Sequence, residues 1–135
     1  MTIQLSTTVR NARLDAIETA VGTSAVLKIR TGAQPATVAT AYSGTVLATL
    51  PLPSDWMSAA SGGTKSLTGT WQDTSADAAG TAGHFRVYAS DGTTAHLQGS
   101  VTATGGGGDL TLDNAVLASG QSVTITSFTL TDGNA

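Results

Sequence analysis

Hydrophobic and polar residues alternate most regularly between Gly83 and Ala103, GHFRVYASDGTTAHLQGSVTA. Phe85, Val87 and Ala89 interleave with His84, Arg86, Tyr88 and Ser90. Past Asp91-Gly92, Ala95, Leu97, Gly99, Val101 and Ala103 interleave with His96, Gln98, Ser100 and Thr102. A period of two marks a strand with one buried face, and Asp-Gly supplies a tight turn, so the stretch predicts a hairpin. A two-residue loop would set Val87 opposite His96 and mix the faces. A three-residue loop, Ser90-Asp91-Gly92, sets Ala89 opposite Thr93, Val87 opposite Ala95 and Phe85 opposite Leu97. Only the longer loop keeps one face apolar, so the phase predicts it. In that register His96 lies across from Arg86.

The remaining pattern is read in chain order. Residues 1–7 predict a short strand or arm. Thr7 or Thr8 can cap a helix over 9–21, and Gly22 stands where a left-handed C-cap is expected. The helical spacing aligns Arg10, Leu14, Ile17 and Val21 on one side. At about 13 residues such a helix is too short to stand alone and must pack on something. Residues 25–31 predict a strand with Leu27 and Ile29 inward and Val26, Lys28 and Arg30 on the other face. Residues 32–43, rich in Ala and Thr with Pro35, predict a loop or irregular edge. Further strands are expected over 45–50, 66–72, 109–117 and 122–131, with a capped single turn at 54–57 that tucks Trp56 inward. The strand over 66–72 would put Leu67, Gly69 and Trp71 on one face. In 122–131 the apolar phase slips between Ile125 and Phe128, which calls for a β-bulge or a strand that switches sheets.

About eight strands with turns every 8–15 residues and one leading helix predict an all-β fold. The expected architecture is a β-sandwich, jelly-roll-like first and immunoglobulin-like second. Residues 1–24 would form an N-terminal arm and helix, and residues 25–135 the sandwich domain.

Composition sharpens this picture. Thr 24, Ala 21, Gly 16 and Ser 13 make up 74 of the 135 residues, while aromatics are 4% and charged residues 11%. A core built from so few large side chains is lean, which favours support from oligomer contacts. The net charge of −3 argues against a basic nucleic-acid-binding face. Four of the six basic residues, Arg10, Arg13, Lys28 and Arg30, fall in the first 30 positions. There is no cysteine, and hence no disulfide framework or thiolate metal site. No signal peptide and no membrane-spanning run of about 18 apolar residues is expected.

Candidate chemistry is sparse. His84 and His96 read as surface histidines on the polar face of the hairpin. There is no G-x-S-x-G elbow, and Glu18 is the only glutamate. GGTKS at 62–66 lacks the Gly directly before Lys that a phosphate loop requires, and GGGGDLTLD at 105–113 places its Asp one position early for a calcium nonapeptide. A loop calcium at Asp91, Asp109, Asp113 or Asp132 stays open. Trp56 and Trp71 could form a sugar-stacking platform, with core or subunit packing as the plainer alternative. No catalytic, cofactor-binding or metal-ligating residue is assigned. The residues expected to make contacts are Arg10, Arg13, Leu14, Ile17, Val21, Trp56 and Trp71.

Four segments, TTVRNARLDAIETAVGTSAVL (7–27), LPSDWM (52–57), GTWQDTSADAAGTAGHFRVY (69–88) and LTLDNAVLASGQSVTITSFTLTDGNA (110–135), together resemble small structural proteins of tailed-phage and prophage virions. The resemblance implies a virion component without enzymatic activity or cofactor. Its implied partners are itself, as a homotrimer, and other virion proteins such as the major capsid protein. A capsid decoration (cement) protein is the leading expectation. A tail, neck or fibre-associated component, or a glycan-binding surface module, is the alternative. No nucleic-acid or membrane partner is expected.

Overall fold

A computed structural model describes residues 3–133; the first two residues of the expected arm and the last two of the chain lie outside the described residues. The chain is mostly strand with one helix. Helix α1 spans Thr7–Val21. After it come β1 (Val26–Thr31), β2 (Val46–Pro51), β3 (Thr64–Ser66), β4 (Trp71–Asp73), β5 (Gly80–Tyr88), β6 (Ala95–Ala103), β7 (Leu110–Leu112), β8 (Val116–Leu117), β9 (Val123–Ile125) and β10 (Thr129–Thr131). The main sheet runs β2-β1-β5-β6-β7, with β8 on the start of β5, and it curls into a half-barrel. Its β6–β7 pair is parallel and the other pairs are antiparallel. Two short antiparallel ladders, β3–β10 and β4–β9, complete the strands.

The helix begins two residues before the expected start. Ser6, not Thr7 or Thr8, is the N-cap, and its hydroxyl accepts from the Val9 N–H at 3.3 Å. Gly22 ends the helix as expected, but at φ 90° and ψ −178°, a positive φ that a side chain would resist and not the left-handed helical cap expected. The helix docks largely through polar bonds. Asn11 accepts from the Gly63 N–H, Asp15 from Ala60 and Glu18 from Met57, at 2.9, 2.9 and 3.2 Å. The Trp56 indole N–H donates to the Gly22 carbonyl at 3.0 Å. Leu14 and Val21 are its buried apolar residues. These bonds cross the boundary expected at residue 24, so α1 is built into the strand-rich body.

The main hairpin keeps its predicted apolar face but not its register. Phe85 pairs with Gly99 and Val87 with Leu97, two residues beyond the expected partners. The Asp91 carboxylate is the cause. It accepts from the Thr93 and Thr94 N–H groups and the Thr94 hydroxyl, which enlarges the turn. A bulge between Val87 and Tyr88 leaves His96 out of the pairing. A slip of two preserves the faces, whereas a slip of one would have inverted them. Gly99 is required opposite Phe85, since a Cβ there would sit 2.7 Å from the ring.

Segmentation elsewhere is finer than the alternation suggests. The strand expected over 66–72 breaks at Gly69, φ 69°, which lies against the Pro53 ring, so β3 and β4 pair with different strands. The phase slip in 122–131 marks a change of partner: the chain leaves β4 after Ile125 and joins β3 at Thr129. Residues 54–57 form no helical turn, although Trp56 and Met57 are buried as expected. Leu110 and Leu112 point inward, but β7 stops there and β8 restarts at Val116.

The core joins Leu27, Ile29, Phe85 and Val87 of the main sheet to an aromatic run beneath it. Trp56 and Trp71 lie 6.0 Å apart, Trp71 and Phe128 5.4 Å, and Phe128 meets Phe85 edge-on at 5.6 Å. Four rings in sequence thus carry the packing from the short ladders to the main sheet. They supply the volume that the small-residue composition lacks.

Candidate functional site: a cationic face of the main sheet

The same alternation that sends Leu27, Ile29, Phe85 and Val87 into the core sends a polar set to the opposite face. Register places Lys28 opposite Arg86, which in turn faces Gln98; Arg30 lies opposite His84, which faces Ser100. No aspartate or glutamate occurs in β1, β2, β5 or β6. Two cations directly across a ladder repel. Here three cations share one face without a carboxylate among them.

Much of this face is covered, not solvated. Residues 32–45, which contain the loop expected over 32–43, lie over it as a strap held by side chains of the sheet. His84 Nδ1 bonds the Gly32 carbonyl at 2.9 Å. That acceptor fixes Nδ1 as the donor, and Nε2 is left buried without a partner. Arg86 donates to the Thr37 and Thr40 carbonyls at 3.3 and 2.7 Å, and through Nε to Gln98 at 3.0 Å. Gln98 donates onward to the Pro35 carbonyl at 2.7 Å. The strap's carbonyls thereby find the donors they lack within their own segment. Burial of His84 corrects the expectation of a surface histidine, which holds for His96 alone.

At one edge the strap leaves a pocket of about 270 Å³. Lys28, Arg30, Tyr42, Val46, Tyr88, Gly92 and Thr93 line it. Both tyrosines of the chain are there, each against a cation. The Arg30 guanidinium lies 4.2 Å from the Tyr42 ring centre, and Lys28 Nζ lies 5.1 Å from that of Tyr88. Arg30 is 4% exposed, yet among the described residues its guanidinium has one hydrogen bond, to the Tyr88 hydroxyl at 3.3 Å. Its Nε is buried without a partner. Lys28 donates to the Gly92 carbonyl at 3.0 Å. The adjoining Asp91 is occupied by its own turn, and the Thr94 and Thr93 donors hold its carboxyl well below the usual carboxylate range.

Lys65, under the helix, is buried like Arg30 and Arg86 and has the opposite setting to Arg30. It donates to Asp15, Ser58 O and Glu18 at 2.7, 2.7 and 2.8 Å. Burial alone would lower its pKa, but the hydrogen bonds to Asp15 and Glu18 outweigh it and the net direction is upward. The bond from Lys65, then the one from the Ala60 N–H, lowers that of Asp15. The groove beside this cluster, about 600 Å³, runs between α1 and residues 54–59.

The residues expected to make contacts separate into two groups. Arg10, Arg13, Leu14 and Ile17 converge on the chain's own end. Arg10 donates to the Asp132 carbonyl at 3.1 Å, and Arg13 pairs with the Asp132 carboxylate at 3.2 Å. Leu14 and Ile17 flank the same strand end, and Val21 is buried in the core. Trp56 and Trp71 are fully buried, and their N–H groups are satisfied by the Gly22 and Thr68 carbonyls. Neither indole offers a face to a sugar or a partner, which corrects their reading as contact residues. Three of the four aspartates considered for calcium act separately: Asp109 accepts from Ser100, Asp132 pairs with Arg13, and Asp91 closes its turn. Among the described residues no three His, Cys, Asp or Glu side chains cluster.

The cationic face is the group that sequence reasoning passed over. Its signal was present in the polar phase of two strands, Lys28 and Arg30 in one and His84, Arg86 and Tyr88 in the other, with no acid between them. Compared with protein-family models, with curated proteins and with solved structures, the chain matches none.

Proposed function

We propose that the chain is a structural protein of a tailed-phage virion, a capsid decoration protein that strengthens the assembled shell. The short ladders, joined to Phe85 of the main sheet through Trp71 and Phe128, are read as the second layer of a jelly-roll-like sandwich. The observation that carries the structural reading is the use made of the carboxylates. Asp15, Glu18, Asp73, Asp91 and Asp109 each accept a backbone N–H, and four of the five reach a different segment of the chain to do so. Groups placed this way stiffen loops against one another and are not free for proton transfer. The resemblance of the four segments supplies the virion context. A protein that binds the assembled shell and not its separated subunits stabilises the shell by that binding energy, multiplied over symmetric copies.

Helix α1 is bonded into the body, so it is not the extension that would reach a neighbouring capsid surface. Immunogold labelling of purified virions with antibody to the folded chain tests the proposal. Label on the head surface is the expected result. Label confined to the tail moves the chain to the tail-associated alternative, and particles free of label overturn the virion reading.

A further inference from the structure

We propose that the pocket between Lys28, Arg30 and Tyr88 is a binding site for a small oxyanion, the carboxylate or phosphate group of a ligand. The inference is independent of the virion reading, and the two fail separately.

Charge gives the first argument. Among the described residues the ion pairs are Arg13–Asp132, Lys65–Asp15 and Lys65–Glu18. Lys28, Arg30 and Arg86 have none. A buried cation carries a large desolvation cost unless an anion or a full set of acceptors offsets it. Arg86 has three acceptors in Gln98 and the strap. Arg30 has one neutral acceptor for five N–H donors, and Lys28 has one for three.

Geometry gives the second. The Arg30 guanidinium carbon sits 4.2 Å from the Tyr42 ring centre, and the N–H groups of a guanidinium lie in its own plane, where they take in-plane acceptors. Lys28, Val46, Tyr88 and the Gly92-Thr93 turn complete the wall. Because Asp91 fastens that turn from within, the backbone there is held in place and the turn's own negative charge is already engaged. Tyr42, 65% exposed, also lines the pocket and leaves it open to solvent on that side. The cavity, about 270 Å³, suits a group of a few heavy atoms.

The test is an NMR titration of the full chain. It follows the Arg30 Nε–H resonance and the Gly92 and Thr93 amides against sodium phosphate, sodium acetate and sodium chloride at equal ionic strength. Saturable shifts confined to these resonances, with phosphate or acetate but not chloride, are expected. Saturation by phosphate alone assigns a tetrahedral anion, and saturation by acetate assigns a carboxylate. Lys28→Gln, at a half-buried position, should weaken binding about tenfold while the amide dispersion of the folded chain is kept. Shifts that stay linear and match those of chloride overturn the proposal, as does saturable binding that Lys28→Gln leaves unchanged.

Discussion

Beneath helix α1, Lys65 is 2% exposed and has three oxygen acceptors within 2.8 Å, two of them carboxylates. On the strap face, Arg30 is 4% exposed and has one tyrosine hydroxyl and one tyrosine ring. Both cations have been withdrawn from water, and the same desolvation opposes both. In the first region the fold supplies the counter-charge from its own helix. In the second it supplies aromatic faces and a cavity, and the strands that form the floor carry no acid. The first is a closed structural joint. The second is incomplete as it stands, and a ligand anion would complete it.

The comparison can be broken most severely at the joint. Deleting residues 1–22 removes Asp15 and Glu18 from Lys65, the Gly22 carbonyl from Trp56, and the apolar contacts of Leu14 and Val21. The truncated chain should not fold, as far-ultraviolet circular dichroism and amide dispersion would show. A folded truncation would mean that the helix is an appendage. Next in size is Arg86→Met. It strips a donor from Gln98 and from the Thr37 and Thr40 carbonyls, and should cost about 2 kcal/mol in urea unfolding. It should also raise hydrogen exchange through residues 32–45 while leaving the ladders of β3, β4, β9 and β10 protected.

The acid and alkaline limbs of stability sharpen the same contrast. Asp15 has its folded pKa depressed below 3.8, so its contribution is present above that value and is lost as pH falls toward the folded pKa. Lys65 has its folded pKa raised above 10.5, so its contribution is present below 10.5 and is lost as pH rises through the folded value. Urea midpoints should therefore decline at both ends, and Asp15→Asn should flatten part of the acid limb. The smallest effect belongs to Tyr42→Leu, which removes an exposed cation–π contact. It should change stability by under about 1 kcal/mol while altering the Arg30 Nε–H resonance.

How far these regions could be read in advance depends on what the pattern encodes. Helix α1, the Gly22 stop, the inward phase of β1 and the apolar face of the β5–β6 hairpin all follow from local periodicity, and all were legible. The hairpin register was not, because it depends on how many donors one carboxylate, Asp91, gathers into the turn. The breaks at Gly69 and after Ile125 reflect partner choice by distant strands, which alternation does not report. Polar positions were read as solvent-facing, so the burial of His84, Arg30 and Arg86 under a long-range strap was missed. The Lys65 joint stayed hidden for the same reason. Asp15 and Glu18 look like the polar side of a surface helix until residues 57–65 are brought against them.

The most direct measurement is a paired one, urea unfolding of Lys65→Met and Arg30→Met under identical conditions in an anion-poor buffer. Both variants replace a buried cation by an apolar chain of similar length. If the joint is closed and the pocket open, Lys65→Met should lose about 2 kcal/mol, because it leaves carboxylates and a carbonyl without their partner. Arg30→Met should then lie within about 0.5 kcal/mol of the native chain or above it, since it removes an uncompensated charge. Equal and large losses at both positions would contradict the account, for they would show that Arg30 is as fully satisfied within the fold as Lys65.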